Sequence, residues 1–481
     1  MNFKEETLDP ENWEEMKTLG HRMIDDLMDY LKTIRNQTYT PPDEDVVKEL
    51  VTPLPAKGIG EEAMYEIFKY KMIPHAMKFT RPDFWGMVIG TGSHFGMLTD
   101  MALSGIQHGT VGLPFLGKQA LSWIKSLLEY PQDSSGVFVS GGSEANFTGL
   151  AVARNKKAEV DMKTKGMQNV SRNMTLYCSV EAHDCLTRSV ELLGFGNEAL
   201  RWVPINKSHQ MDIDALRKRI HEDKECGLYP FCVIGTAGTV HTGAFDDLNA
   251  LADICDEEDL WFHVDGAFGA WIKLSETHKH LAAGLDRADS LAVDLHKWMD
   301  MPWSIACVLI KDRLAHFSTF VYGHDAEYLK TGFNEFGEAV NNALNLSLPL
   351  TRPDWGAKSY MLLRAYGRYK YSALVQQNID QIRYLADLIE DDPYMELMAP
   401  VVSNVVCFRY IVDGLSEDQI EKVNRLILSE LWKTSLWMIS DTTIDGKYML
   451  RACNVNHRSK YSDFDTLVDR ITTIGNALSK Q

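Results

Sequence analysis

The chain has 481 residues, of which 45% are hydrophobic and 24% charged, and it carries a net charge of −18 with a pI near 5.3. That length asks for two or three domains, or one large domain with appendages. So acidic a surface repels nucleic acid and anionic membranes, which excludes both as expected partners.

The start, MNFKEETLDPENWEEM, is polar and acidic and holds no apolar signal core. No stretch reaches the roughly 18–20 apolar residues of a membrane span. A cytoplasmic protein is therefore expected. The eight Cys are scattered, with no CxxC pair and no His pair at metal-ligand spacing near Cys178 and Cys185. Reduced, mostly buried thiols and no metal site follow.

Residues 1–85 read as helical. Met16, Leu19, Met23, Ile24, Leu27, Tyr30 and Leu31 recur at helical spacing. The prolines of TYTPPDEDV break the pattern, and a second helix is predicted around Glu61 to Tyr70. Such a segment cannot bury itself, so it packs on a larger body or on a second subunit. Residues 86–371 alternate short Val- and Ile-rich runs with amphipathic stretches: GVFVSGG, MTLYCSV, FCVIGTAG, LWFHVDGA, SLAVDLH and SIACVLIKD. This α/β texture argues for a mostly parallel sheet covered on both faces. Residues 372–481 open with a long helix and then mix strands (VVCFRYIV, KYMLRAC) with helices. A smaller α+β domain is expected there.

In open α/β sheets, ligands sit outside the carboxyl ends of the strands. Four segments place polar groups at such ends. In SGGSEANF, Gly142 and Ser143 open a helix whose free N–H groups suit an anion, with Ser143 able to cap it. The same residues also fit an ordinary capped turn. In HVDGAFGA, Asp265 ends an apolar strand, and a carboxylate there needs a cation or several donors. In DLHKW, Lys297 ends the next strand beside His296, and a lysine in a dry pocket has a depressed pKa and is a nucleophile toward a carbonyl. Most lysines are simply solvated. In YCSVEAHDC, His183 follows a strand. Together, a lysine, an anion cradle, an aspartate and a flat ring match the needs of pyridoxal 5′-phosphate: an amine for its aldehyde, donors for its phosphate, an acid for its ring nitrogen and a stacking group.

With SGGSEAN, HVDGAFGA and DLHKW in that order, the chain resembles the pyridoxal-phosphate-dependent group II amino-acid decarboxylases, the aromatic-amino-acid and glutamate decarboxylase group. The resemblance runs from about Trp13 to Ile474. It implies a fold type I architecture with a mainly parallel seven-stranded sheet, a small C-terminal α+β domain and a homodimer clasped by the N-terminal helices. It implies Lys297 as the lysine that binds the cofactor covalently and Asp265 as the partner of the pyridine nitrogen. Ala267 would pack near the ring and His183 would stack on it. Gly142, Ser143 and His296 would hold the phosphate, with Thr239 near the cofactor. HDAEYLK resembles the mobile catalytic loop, making Tyr328 the proton donor, and Arg451 matches an arginine that meets the substrate carboxylate.

Several residues depart from the family pattern. Val240 replaces a Thr, and Asp294 stands where animal members often carry Asn near the phosphate. An acid there repels phosphate unless it faces away or is neutralised. Met87, Val88, Ile89 and Gly90 replace an aromatic-rich stretch of the substrate pocket, and His108 is expected near it. The best expectation is decarboxylation of an aromatic L-amino acid such as tryptophan, tyrosine, phenylalanine or DOPA. The alternatives are a decarboxylase of aliphatic or acidic amino acids, and a decarboxylating aldehyde synthase. A non-catalytic role is disfavoured by the intact Lys297, Asp265, His183 and Tyr328. GFGNEA follows a helix rather than a strand, which disfavours a dinucleotide site.

Overall fold

The structure, a computed structural model, describes residues 6–106, 113–321, 345–433 and 439–479. Seven strands form the larger sheet: β1 (Ser135–Val139), β2 (Met174–Ser179), β3 (Leu200–Val203), β4 (Tyr229–Thr236), β5 (Trp261–Asp265), β6 (Ser290–Asp294) and β7 (Ala306–Ile310). They lie in the order β1-β7-β6-β5-β4-β2-β3. The pairs β3/β2, β2/β4, β4/β5 and β5/β6 are parallel, while β7 runs antiparallel to both β6 and β1. The six apolar runs of the sequence are all strands. The seventh, β3, is a four-residue edge strand that the periodicity does not reveal.

The strands are continuous apolar runs because both sheet faces are covered. Along β4, Cys232 and Ile234 join the core on one face and Val233 the core on the other. Along β6, Leu291 and Val293 face one core and Ala292 the other. Helix Gly142–Lys157 supplies Ala145, Leu150, Ala151, Val152 and Ala153 to the first of these cores. Seven of the eight cysteines are buried and none forms a disulfide.

The second sheet is antiparallel, in the order β10-β11-β9-β8, from β8 (Met395–Leu397), β9 (Val405–Tyr410), β10 (Ser440–Ile444) and β11 (Lys447–Cys453). The helix expected to open this region begins earlier, at Trp355. It runs to Asp391 through a break at Gly367, whose φ of 70° suits glycine. The expected division at 371/372 therefore falls inside a helical segment. The division at 85/86 falls beside Trp85, which is fully buried in the core of the second sheet. Its ring stacks on Phe464 at 4.3 Å, its Nε1 donates to Ser459 Oγ at 2.9 Å, and its carbonyl accepts from Cys453 N.

The N-terminal helix spans Trp13–Lys32, capped by the Asn12 side chain. A short helix, Glu44–Leu50, follows the prolines where the sequence suggested only a break; Asp43 caps it by accepting from Asp45 N and Val46 N. Helix Glu61–Ile67 continues into a wider turn over Phe68–Met72. Of the N-terminal helix only Leu19 is buried, and Trp13 and Met23 are exposed. Among the described residues, no helix is long and apolar enough to cross a membrane.

Trp85 joins the N-terminal stretch to the second sheet through a stacked ring and two hydrogen bonds. Trp85→Ala is expected to lower stability by about 3–5 kcal/mol, the range for a large core aromatic. Urea unfolding of the two proteins measures it, and an unchanged midpoint would show that the junction carries no such weight.

Candidate active site

A cavity of about 690 Å³ opens at the carboxyl ends of β4, β5 and β6. Parallel register sets those ends side by side, with Thr236 opposite Asp265 and Asp265 opposite Ala292. Gly142, His183, Asp265, Ala267, His296 and Lys297 all line this cavity, as does Ser143. Residues far apart in sequence therefore converge as their strand-end positions suggested.

Lys297 does not have the depressed pKa that burial alone predicts. Its Nζ lies 2.9 Å from Asp294 Oδ2 and its side chain is 23% exposed. Burial is the largest single influence and pulls the amine down. The Asp294 charge and hydrogen bond, with Asp265 and Cys185 behind them, outweigh it and raise the ammonium above the ordinary lysine value. Asp294 is 1% exposed and faces the cavity, so it is neutralised by pairing rather than by turning away. Its Oδ1 has no hydrogen-bond partner among the described residues. His296 Nε2 is 3.8 Å from Asp294 Oδ2, and His296 Nδ1–H donates to the Ile305 carbonyl at 2.8 Å.

Asp265 is buried at the end of β5. One oxygen accepts from Ala267 N at 3.1 Å and the other from Asn146 Nδ2 at 2.9 Å. The Asn146 amide also reaches Cys185 Sγ at 3.3 Å, and burial pushes that thiol up to about 12. His183 Nδ1 accepts from Cys185 N at 3.1 Å, which pins the imidazole at the cavity wall.

The anion cradle is the first turn of helix Gly142–Lys157. Its cap is the extended Gly141, not Ser143, and no side chain caps it. The N–H groups of the first turn have no partner within the helix and form the electropositive end of its dipole. A Cβ on Gly142 would lie 3.1 to 3.3 Å from the Asp294 oxygens and Ala267 Cβ, so a glycine here keeps the cradle open.

Two expected positions need correction. Thr239 is buried within its own turn, where Oγ1 meets Thr242 Oγ1 at 3.0 Å and accepts from Ala244 N at 3.1 Å. The neighbouring Gly238 and Val240 line the cavity instead. Gly90 does not line it either. Gly90 N donates to the His296 carbonyl at 3.1 Å, and a Cβ there would collide with the His296 and Lys297 carbonyl oxygens. It is a close-approach glycine that lets residues 87–89 pass over the lysine backbone. Met87, Val88 and Ile89 do form a wall. Arg451, on β11, reaches the cavity from the second sheet. Its guanidinium donates to the carbonyls of His241 and Gly86 at 3.2 and 3.4 Å, and its buried Nη2 has no partner among the described residues. His108 and Tyr328 lie outside the described residues.

Trp303, which the strand-end reading did not single out, is 52% exposed at the cavity rim and packs against Phe79 with ring centroids 5.6 Å apart. Its one signal was the PW pair just after DLHKW.

These groups fit pyridoxal 5′-phosphate. A lysine amine, an open helix N-terminus, a buried carboxylate and an imidazole surround one cavity, and polar atoms of Arg451 and Asp294 with no partner among the described residues are buried at its wall. Two acids stand beside the cradle: the Lys297 ammonium offsets the charge of Asp294, and Glu144, in the first turn of the same helix, accepts from Ser140 N and Oγ at 2.8 and 2.6 Å.

The model of the pyridoxal-dependent decarboxylase conserved domain matches residues 112–411. An aromatic-L-amino-acid decarboxylase of Bacillus atrophaeus is 30% identical over 97% of this chain and 96% of its own. An L-2,4-diaminobutyrate decarboxylase of Acinetobacter baumannii is 28% identical over 65% of this chain and 63% of its own. Among solved structures, Oryza sativa TDC with PLP and tryptamine superposes with a TM-score of 0.89 at 21% identity, over 98% of this chain and 100% of that one. At that identity the likeness shows the fold.

Asp294→Asn removes the charge that raises Lys297 and leaves burial to lower it. The pH at which Lys297 reacts with an amine-directed reagent is expected to fall, read by peptide mass spectrometry across pH. An unchanged profile would mean that the pair does not control the amine. In the wild type the sign is opposite: the raised lysine contributes stability at every pH below its ordinary value of about 10.4. That contribution is lost only as pH climbs through the folded value.

Proposed function

The chain belongs to the pyridoxal-dependent decarboxylases, and on that premise we propose that it releases CO2 from an aromatic L-amino acid and yields the amine. It is a carboxy-lyase of amino acids that uses pyridoxal 5′-phosphate. The observation that carries the substrate class is the cavity wall. Met87, Val88, Ile89, Phe268 and Trp303 give an apolar wall to the cavity of about 690 Å³ that cofactor and substrate would share, and such a wall suits a bulky apolar side chain.

When bound, the cofactor supplies an aldehyde for an amine and a protonated ring that draws electrons from the substrate Cα. Lys297 provides the amine that holds it. Asp265 would pair with the ring nitrogen and keep its proton. The Gly142 and Ser143 N–H groups and His296 would hold the phosphate, with Ala267 and His183 against the ring. Arg451 offers its Nη2, unpaired among the described residues, to the substrate carboxylate and so fixes which bond is presented for cleavage. Tyr328 is the acid that returns a proton to Cα.

The same Nη2 favours a second reading, in which Arg451 binds a side-chain carboxylate and the substrate is acidic. The chain acts in the cytoplasm as a homodimer. The apolar side chains left exposed on its N-terminal helix, with Phe95, Met101 and Ile106 on helix His94–Gly105 and just after it, support that assembly.

The test is a screen of the cofactor-loaded protein against the twenty amino acids, DOPA and 5-hydroxytryptophan, reading CO2, amine and peroxide together. CO2 with matching amine from an aromatic substrate is expected. An acidic or aliphatic preference would overturn the substrate class, and CO2 with peroxide would make the protein an aldehyde synthase. Lys297→Ala is expected to abolish both turnover and the visible absorbance of the lysine-bound cofactor. Retained turnover would remove Lys297 from its role.

A further inference from the structure

Behind Asp265 runs a chain of buried polar side chains that the chemistry above leaves unused. Asn146 Nδ2 donates to Asp265 Oδ2 at 2.9 Å. Asn146 Oδ1 meets His263 Nε2 at 2.8 Å, His263 Nδ1 meets Ser290 Oγ at 2.7 Å, and Trp261 Nε1 donates to Ser290 Oγ at 2.8 Å. Asn146, His263 and Ser290 are wholly buried and Trp261 nearly so. Helix Gly142–Lys157 makes room for them by omission: a Cβ on Gly149 would stand 2.8 Å from His263 Cε1 and 3.3 Å from Ser290 Oγ.

Donor and acceptor capacity fixes the direction of every link. An ionised carboxylate only accepts, so Asn146 turns its amide nitrogen toward Asp265 and its oxygen toward His263. That oxygen needs a donor, so His263 carries its proton on Nε2. Burial, the largest influence, pushes the imidazole down to about 4, so the ring is neutral and Nδ1 accepts. Ser290 must then donate to Nδ1, and its oxygen receives the indole N–H. Each link donates toward Asp265, and aligned links polarise one another.

We propose that His263, acting through Asn146, is the positioning residue that holds Asp265 as the acceptor for the cofactor's ring nitrogen, with Ser290 and Trp261 fixing its tautomer. The proposal rests on the function reading above. Among the described residues, the charged or ionisable groups that bear on Asp265 from other elements are Lys297 and Cys185. Neither supplies the neutral, fixed N–H that Asn146 does. The alternative is a purely structural tie of the helix to β5 and β6, which predicts lost stability and nothing at the ring nitrogen.

Two measurements separate these. The first needs no variant and no cofactor: ¹⁵N spectra of the histidine-labelled protein, with the His263 signal identified by its absence in His263→Gln. A neutral, Nε2-protonated ring from pH 5.5 to 8 is expected. An Nδ1-protonated ring or an imidazolium would overturn the proposal, whether or not the protein binds the cofactor. The second reads the ring nitrogen itself, in protein loaded with ¹⁵N-labelled pyridoxal phosphate. In His263→Leu its half-protonation pH is expected to fall by about one or more, tenfold in proton affinity. His263→Gln, which retains an N–H for Asn146 Oδ1, is expected to restore most of that loss. kcat should follow the same order while KM changes little. A His263→Leu protein that is less stable but has an unshifted ring nitrogen would leave only the structural tie. A wild-type protein that binds no cofactor would overturn the function reading, and the tautomer would still decide the relay.

Discussion

Two carboxylates, Asp265 and Asp294, are buried at adjacent strand ends, and one ammonium, Lys297, lies between them in charge. Parallel register forces this crowding, because β5 and β6 deliver their last residues to the same edge of the sheet. An unpaired carboxylate in such a place is strongly unfavourable. The site resolves the conflict by giving the two acids different partners. Asp294 takes the lysine, while Asp265 takes neutral N–H donors from Asn146 and Ala267. The same division that lets the sheet end stably would, on the proposed function, separate their duties, one acid bearing on the lysine amine and the other on the ring nitrogen.

The polarity around Asp265 extends backward through a dry core. Asn146, His263 and Ser290 come from three different elements, and all their hydrogen-bonding groups that face one another are matched. A half-satisfied chain of this kind costs more than an apolar one. Its cost is avoided because the helix carries glycine where it crosses the imidazole.

Much of this architecture was legible in the sequence. Six apolar runs became six strands, and the residues ending three of them line one cavity, because period and strand-end chemistry are local properties. What failed was what depends on distant partners. The edge strand β3 is only four residues long and has no pattern of its own. Thr239 carries the right hydroxyl, but its own turn consumes it. Gly90 looked like a pocket residue, yet its role is set by the Lys297 backbone that crosses it. The relation of Asn146 to His263 spans 117 residues, and no spacing rule reveals it. The Lys297 pKa went the opposite way to the burial argument because the sequence did not show where Asp294 would point.

The attachment of Trp85 to the second sheet reaches the chemistry from an unexpected side. The strip that forms one cavity wall, Met87 to Ile89, starts two residues beyond a ring locked against Phe464 and a carbonyl bonded to Cys453. Arg451, two residues before Cys453 on β11, enters the same cavity. Wall and guanidinium are thus both anchored to the second sheet, whereas Lys297, Asp265 and the first turn of helix Gly142–Lys157 belong to the first. On the proposed reading, drift in the core of the small sheet would reshape the side-chain pocket and the setting of Arg451 while the strand ends that carry Asp265 and Lys297 stay in place, so substrate recognition could evolve from a part of the molecule that does not hold the cofactor.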